Sequence, residues 1–352
     1  MSPNSSGRDD LAIIVISTNE ARWLEPCLRT VFAHAGGASL DVVVVDNAST
    51  DGTRELVESR FPEARVVSSA NHGFGHANNR GALTTSARYV LFLNPDTEVV
   101  AGTFGELVAA MDERPDVGLI GARQITGDGE LWPTIRRFPS FVRALAEALG
   151  SEKWPFAASW CGERELDLTR YDQELECDWT SGSFMLARRE ALLTGGIFDE
   201  RLFIYSEDPD LALRIKMAGW QVRHMPTMTI IHHASKGGVR PKMVAQDAFS
   251  RLQYARKHFN APHRWPYMTA VALRHVLRGV FAPNDGSRAE RREAARLALS
   301  TLAGRTPPPF GHPPATALPE WPQPDSSETT ATDPRAHVAV AGSERRASAV
   351  AG

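Results

Sequence analysis

Asp96 stands in "YVLFLNPDTEVV", Tyr89 to Val100, just past a run of apolar residues. A carboxylate in that position could hold a cation or orient a polar ligand, because open α/β sheets bind their ligands beyond the carboxyl ends of the strands. Pro95 has no N–H for a sheet ladder and biases Asn94 toward an extended conformation, so Asp96 falls outside the strand. A plain polar turn would carry the same letters. Two earlier apolar runs end alike: "VVVVDNASTDGT" leaves its run at Asp46 and Asn47, and "AIIVISTNE" at Ser17, Thr18, Asn19 and Glu20. Each of these residue types is a favoured helix cap. Three strand exits of this kind on one face favour a ligand crevice as well. A further acid pair, Glu207 and Asp208, lies in "YSEDPDLALRIKMAG". Pro209 suits a first helical position, which makes Asp208 an N-cap and sets Leu211, Ile215 and Ala218 along an apolar stripe.

The elements that must position these groups alternate. "LAIIVIST", "DVVVVD", "ARVVSS", "YVLFLN" and "VGLIGA" are strand-like, and amphipathic helical patterns separate them. This βαβα order predicts an α/β fold with a doubly wound, mostly parallel central sheet and flanking helices. A less regular stretch, 123–178, is followed by "GSFMLARREALLTGGIFDE", read as strand, helix and Gly-Gly stop, then by a helix from Pro209 to about Ala218 and the strand-like "QVRHMPTMTIIHH". Residues 11–260 are expected to form the main domain, in two halves, 11–125 and 126–260. Residues 1–10 are expected to form a flexible start, 261–305 a basic helical extension, and 306–352, which holds many of the 23 prolines, a disordered tail.

Composition narrows the setting. With 42% hydrophobic and 23% charged residues among 352, the chain is globular. Cys27, Cys161 and Cys177 show no metal-type spacing and are an odd number, which fits a reducing compartment and packing roles. "MSPNSSGRDD" lacks the regions of a signal peptide, and no run of about 18 apolar residues suggests a membrane span, so the expected location is cytoplasmic. Net charge is −3, but Lys236 to Arg305 holds 14 basic against 4 acidic residues. That excess suits an anionic surface or simply a solvated helical face.

"GFGHAN", Gly73 to Asn78, raises a dinucleotide-binding oxidoreductase as an alternative. The motif should follow the first strand and keep three glycines around a pyrophosphate. Here it follows the third strand, and Asn78 occupies the third glycine's position.

Taken together, "ISTNEARWLEPCL", "VVVVDNASTDGT", "NHGFGHANNRGA", "FLNPDTEV" and "SGSFMLARREALLTGGIFDERLFIYSEDPDLALRIKMAGW" resemble family 2 glycosyltransferases of the GT-A fold, in particular the bacterial rhamnosyltransferase branch. The resemblance spans roughly residues 11–260. It implies that Thr18, Asn19, Glu20 and Asp46 hold the base and ribose of a nucleotide-sugar donor, and that Asn71, Gly73 and Asn78 line the donor pocket. "NPD" stands where the family has its D-x-D motif, so Asn94 and Asp96 face the donor and Asp96 binds Mg²⁺ or Mn²⁺. Asn94 replaces the first acid of that motif. A histidine of "TIIHHAS", His232 in preference to His233, is the further metal ligand. The same resemblance makes Asp208 the general base, with Glu207, Gly182 and Ser183 on the acceptor side, and makes 11–125 the nucleotide-binding half and 126–260 the acceptor or catalytic half. The implied activity is inverting transfer, from dTDP-L-rhamnose, to a lipid-linked or polysaccharide hydroxyl in envelope glycan synthesis. The expected partners are donor, glycan or polyprenyl-diphosphate acceptor and an anionic inner membrane face, with no nucleic acid. Rival readings are a nucleotide-sugar-binding protein without catalysis, a transferase using another UDP- or GDP-sugar, and a glycosidase, which also uses paired carboxylates.

Overall fold

The computed structural model describes residues 9–151, 161–233, 239–282 and 287–311. The chain begins β1 (Leu11–Ser17), α1 (Ala21–Ala33), β2 (Leu40–Asn47), α2 (Thr53–Arg60), β3 (Arg65–Ser69), α3 (Phe74–Ala82), β4 (Tyr89–Leu93), β5 (Thr97–Ala101), α4 (Phe104–Asp112) and β6 (Val117–Ile125). It continues with β7 (Ile135–Arg136), α5 (Phe141–Ala148), β8 (Leu175–Glu176), β9 (Trp179–Thr180), β10 (Phe184–Arg188), α6 (Arg189–Gly195), α7 (Glu207–Met217) and β11 (Gln221–His232). Then come α8 (Pro241–His258), α9 (Ala261–Val280) and α10 (Arg288–Leu302).

Among the described residues one nine-stranded sheet runs β3-β2-β1-β4-β10-β6-β11-β5, with β8 beside β11. β1, β2, β3, β4, β6 and β11 share one direction, and β5, β8 and β10 oppose it. The sheet is therefore mixed and mostly parallel. Both faces of its centre are buried. Leu11, Ile13 and Val15 of β1 pack with α1 and α4, through Leu24, Leu28, Phe104 and Leu107, while Ala12, Ile14 and Ile16 pack with α3, α6 and α7, through Ala77, Leu192, Leu211 and Ile215. Successive side chains of a strand point to opposite faces, so a strand covered on both sides must be apolar throughout. Each such fully buried side chain contributes about 1.5–3 kcal/mol.

Two strands lie outside the simple alternating pattern, and both matter for the site. β10 enters antiparallel between β4 and β6, so its first residue, Phe184, pairs with Leu93 at the carboxyl end of β4. β5, directly after "NPD", pairs antiparallel with the end of β11, with Thr97 opposite His232. The helix expected from Pro209 instead starts at Glu207, with Ser206 as N-cap. The chain turns into it through Tyr205 and Ser206, both in the left-handed region at φ +71° and +66°. Asp208 is thus inside the first turn and is not the cap.

Residues 306–311, the start of the expected tail, are packed: Pro308 is buried, and the Phe310 ring stacks on Phe203 with centroids 5.0 Å apart. Residues 312–352, residues 1–8 and Lys236 lie outside the described residues.

Candidate active site

The exits of β1 and β2 form one hydrogen-bonded unit. Asn47 Nδ2 donates to Thr18 Oγ1 (3.1 Å), the Asn19 N–H to Ser49 Oγ (3.1 Å), and the Thr50 N–H to Asn19 Oδ1 (2.8 Å). Asp46 Oδ1 accepts from the Ser49 N–H at 2.9 Å. Asn19 holds φ at +58°, a conformation that Asn tolerates better than most residues. Asp51 ties the two βα turns together by accepting from the Ala21 N–H (2.8 Å) at the start of α1 and from the Thr53 N–H (3.2 Å) at the start of α2. These groups are thus partly spent on building the crevice wall, as their capping chemistry allows. Thr18 and Asn19 remain exposed at its lip.

Glu20 follows them and meets the end of β4. Burial, and then the nearby charge of Asp96, push the Glu20 carboxyl up to about 7. Across β5 and β11, His232 Nε2 lies 3.4 Å from Asp96 Oδ1. His233 points elsewhere: its Nε2 is 2.6 Å from Glu98 Oε1, and its ring stacks on Trp23 at 4.7 Å. The strand register thus brings the His232 side chain to the Asp96 carboxylate, while His233 meets Asp96 only through its backbone N–H, which donates to the Asp96 carbonyl at 2.9 Å. His232 Nδ1 is buried without a hydrogen-bond partner. Among the described residues no three His, Cys, Asp or Glu side chains gather into a metal-type cluster. An oxygen-preferring divalent cation held by one or two side chains and completed by substrate phosphates fits Asp96 and His232. Cys27, beneath this turn, is a packing residue whose thiol burial pushes up to about 12.

The Glu207–Asp208 pair sits opposite. Asp208 Oδ2 accepts from the Gly182 N–H at 2.9 Å, and its Oδ1 is buried without a partner. Burial raises the Asp208 carboxyl to about 6, against the pull of the Gly182 N–H and the Arg136 charge. Glu207, buried beside it with Oε2 unpartnered, is raised well above the carboxylate range by burial and by Asp208. Gly182 has to be glycine, since a Cβ there would lie 2.4 Å from Asp208 Oδ1. The next residue, Ser183, donates through Oγ to Gln124 Oε1 (2.8 Å), and its carbonyl accepts from the Asn94 N–H (3.0 Å). A short covalent and hydrogen-bonded path, Asn94 to Ser183 to Gly182 to Asp208, therefore links the two acidic regions. Behind Asp208, Asp210 is fully buried and anchors α7 to α8, its Oδ1 accepting from Lys257 Nζ (2.6 Å) and His258 Nε2 (2.7 Å).

The "NHGFGHANN" block occupies the start of α3. Gly73 holds φ at +108° where a Cβ would lie 2.3 Å from the Phe203 carbonyl oxygen, so close backbone packing alone demands glycine there. Asn78 is buried with Nδ2 unpartnered, whereas Asn71 is exposed. Asn79, absent from the sequence reading, clamps this helix by donating to the Phe198 carbonyl (2.9 Å) and Glu200 (3.0 Å). Arg136 and Gln124 were also missed. They come from irregular or strand-end sequence that carries no motif, and only the fold brings them beside the Gly182 loop.

The model of glycosyl transferase family 2 matches residues 12–192. N-acetylglucosaminyl-diphospho-decaprenol L-rhamnosyltransferase of Mycobacterium tuberculosis is 30% identical over 315 residues, covering 84% of this chain and 99% of that protein. Rhamnosyltransferase WbbL of Escherichia coli K12 is 23% identical over 236 residues, covering 63% of this chain and 83% of that one. Among solved structures, GalNAc-T7 with UDP, GalNAc and Mn²⁺ aligns with TM-score 0.55 at 12% identity, over 85% of this chain and 57% of that one. Staphylococcus aureus TarS 1-349 with UDP-GlcNAc aligns with TM-score 0.50 at 14% identity, over 84% of each chain. Both structural likenesses concern the fold.

Proposed function

The chain belongs to glycosyl transferase family 2, and we propose that it is an inverting transferase moving L-rhamnose from dTDP-L-rhamnose to a hydroxyl of a lipid-linked acceptor in cell-envelope glycan synthesis. The observation that carries the chemistry is Asp208, a carboxylate held by a backbone N–H, with one oxygen unpartnered and a pKa raised to about 6 by burial. Such a group is ionised at neutral pH yet basic enough to take a proton in the transition state. The choice of sugar and acceptor class is supported by the match along 99% of the mycobacterial L-rhamnosyltransferase.

In this reading the acceptor hydroxyl gives its proton to Asp208 as its oxygen bonds to the anomeric carbon. The bond from that carbon to the donor diphosphate breaks on the opposite side, and the electron pair leaves with the nucleoside diphosphate. Burial and the charge of Asp208 favour the protonated form of Glu207, which lessens the negative charge beside Asp208, and separated pKa values of this kind divide the roles of neighbouring acids. Gly182 and Ser183 shape the acceptor side. Thr18, Asn19, Glu20 and Asp46 receive base and ribose, and Asn71, Gly73, Asn78 and Asn94 line the donor pocket. Asp96 and His232 would hold a divalent cation, Mg²⁺ or Mn²⁺, whose charge would neutralise the diphosphate.

Among the described residues no helix is long and apolar enough to cross a membrane. α9 nevertheless exposes apolar residues, with Trp265 at 69% and Phe281 just beyond it at 75% exposure, within a segment rich in arginine. A peripheral contact with an anionic membrane face follows from that pairing. Salt-sensitive sedimentation with anionic vesicles tests it, and equal sedimentation with neutral vesicles would remove it.

The activity is tested by incubating the purified protein with dTDP-L-rhamnose, UDP-GlcNAc or GDP-mannose and an N-acetylglucosaminyl-diphospho-lipid, followed by mass analysis. A rhamnosylated product is expected. Transfer from a UDP- or GDP-sugar alone would overturn the donor, and donor binding without transfer to any acceptor would favour a protein that only binds nucleotide sugars.

A further inference from the structure

Arg136 has no place in the chemistry above, yet its surroundings are unusual for a guanidinium. It lies on β7, which pairs with β9 so that Arg136 faces Trp179, and its guanidinium sits over the Trp179 ring at 5.5 Å. An isolated antiparallel bridge sets Arg164 opposite it on the other side. Its Nε is buried without a hydrogen-bond partner. Among the described residues no carboxylate comes within ion-pair distance of either Arg136 or Arg164. The acids nearby are committed elsewhere: Glu163 pairs with Arg251 (3.2 Å), and Glu147 with Arg251 (3.6 Å) and Arg274 (3.4 Å). Burial and the charge of Arg164 together hold the Arg136 pKa below its usual value. Glu163 and Glu147 oppose that shift without pairing directly with Arg136, and a largely desolvated guanidinium with no direct ion pair is costly unless an anion completes the site.

Position identifies the anion. β9 runs directly into Gly182, the residue that holds Asp208, and the Arg136 charge is felt at Asp208. Glu20 and Asp96 stand at the exits of β1 and β4 in the main sheet, whereas Arg136 and Trp179 belong to the separate β7–β9 pair. The pair therefore belongs to the side where a hydroxyl is deprotonated, away from the donor diphosphate. A planar guanidinium fork matches phosphate oxygens. In an acceptor whose sugar is esterified to a lipid diphosphate, that diphosphate lies one sugar ring from the attacking hydroxyl. We infer that Arg136 and Arg164 form a subsite for the diphosphate of the lipid-linked acceptor. This rests on the reading of Asp208 as the base and of a lipid-linked acceptor.

The test uses the full chain, the variants Arg136→Gln, Arg136→Lys and Arg164→Gln, and two acceptors carrying the same N-acetylglucosamine, one on an alkyl diphosphate and one on a neutral alkyl chain of equal length. Arg136→Gln should raise KM for the diphosphate acceptor by about 10- to 100-fold, the usual weight of hydrogen bonds to a charged group. KM for the neutral acceptor should stay within about twofold, and Arg136→Lys should recover part of the loss. Arg164→Gln should show the same selectivity at smaller size. The melting temperature of Arg136→Gln should be unchanged or higher, because an unpaired, desolvated charge is removed, whereas a merely structural arginine would lower it. Equal losses with both acceptors, or no advantage of the diphosphate acceptor in the unaltered protein, would overturn the subsite. If neither acceptor is glycosylated, the proposed reaction fails. Binding of the alkyl diphosphate alone, with dTDP saturating the donor site, then decides the subsite by itself: tenfold weakening by Arg136→Gln supports it, and no binding by the unaltered protein refutes it.

Discussion

Asp208→Asn separates catalysis from stability because the two should move in opposite directions. The Asp208 carboxyl is raised from 3.8 to about 6, chiefly by burial. A raised carboxyl favours the protonated fold, so that stability is fully present below about pH 3.8 and is lost as pH rises through about 6. At about pH 7.5 the folded protein has lost all of it, which is about 3 kcal/mol as an upper bound, at roughly 1.4 kcal/mol per pKa unit. Asparagine copies the protonated shape and keeps an oxygen for the Gly182 N–H, and the charge assistance lost from that bond is already contained in the raised value. The gain of up to about 3 kcal/mol corresponds to roughly 4–5 °C in Tm, at about 2.1 cal/mol/K of unfolding entropy per residue. The gain should vanish near pH 4, where Asp208 itself is protonated. Turnover should fall by about 10²- to 10⁴-fold, with donor affinity unchanged because the base acts on the acceptor. In the unaltered enzyme kcat/KM should rise tenfold per pH unit below about 6 and level off above it, and the variant should lose that limb. Glu207→Gln is the matched control: burial and Asp208 push the Glu207 carboxyl up, toward the protonated form that glutamine copies, so turnover should stay within about tenfold. The assay combines a pH series of melting curves with transfer rates at saturating acceptor. Near-normal transfer by Asp208→Asn, or a Tm several degrees lower at neutral pH, would refute the assignment.

Gly182→Ala brings a methyl to 2.4 Å from Asp208 Oδ1 and must displace the carboxylate, so kcat should drop by at least about tenfold while nucleoside diphosphate affinity, measured by calorimetry, holds. Asp96→Ala should weaken nucleoside diphosphate binding in Mg²⁺ or Mn²⁺ by about tenfold or more and leave binding in EDTA nearly unchanged; the same loss in EDTA would exclude a metal role for Asp96. Deletion of 312–352 should leave Tm within about 1 °C, because a Pro-rich segment poor in large apolar residues buries little. Deletion of 306–352 also removes the Phe310 ring from Phe203 and should cost about 0.5–1.5 kcal/mol more, read as a lower Tm.

The sequence by itself determined the alternating α/β class and the strand-end location of Thr18, Asn19, Glu20, Asp46 and Asp96, because a doubly buried strand must be apolar until it leaves the sheet and polar at once beyond it. It also carried, through five ordered blocks, the resemblance to family 2 glycosyltransferases that the family match bears out. Local pattern could not reveal strand direction or register, since an apolar run reads the same either way. Only the antiparallel insertion of β10 beside β4 brings Gly182 and Ser183 to the end of "NPD", and only the β5–β11 register sets His232, with His233 turned away, at 3.4 Å from Asp96. The role of Asp208 shows the same limit. Pro209 suggested a cap, but the left-handed pair Tyr205–Ser206 starts the helix earlier and frees the carboxylate to meet Gly182. Its raised pKa, like the lowered pKa of Arg136, arises from burial among segments distant in the chain, and burial is a property of the packed structure.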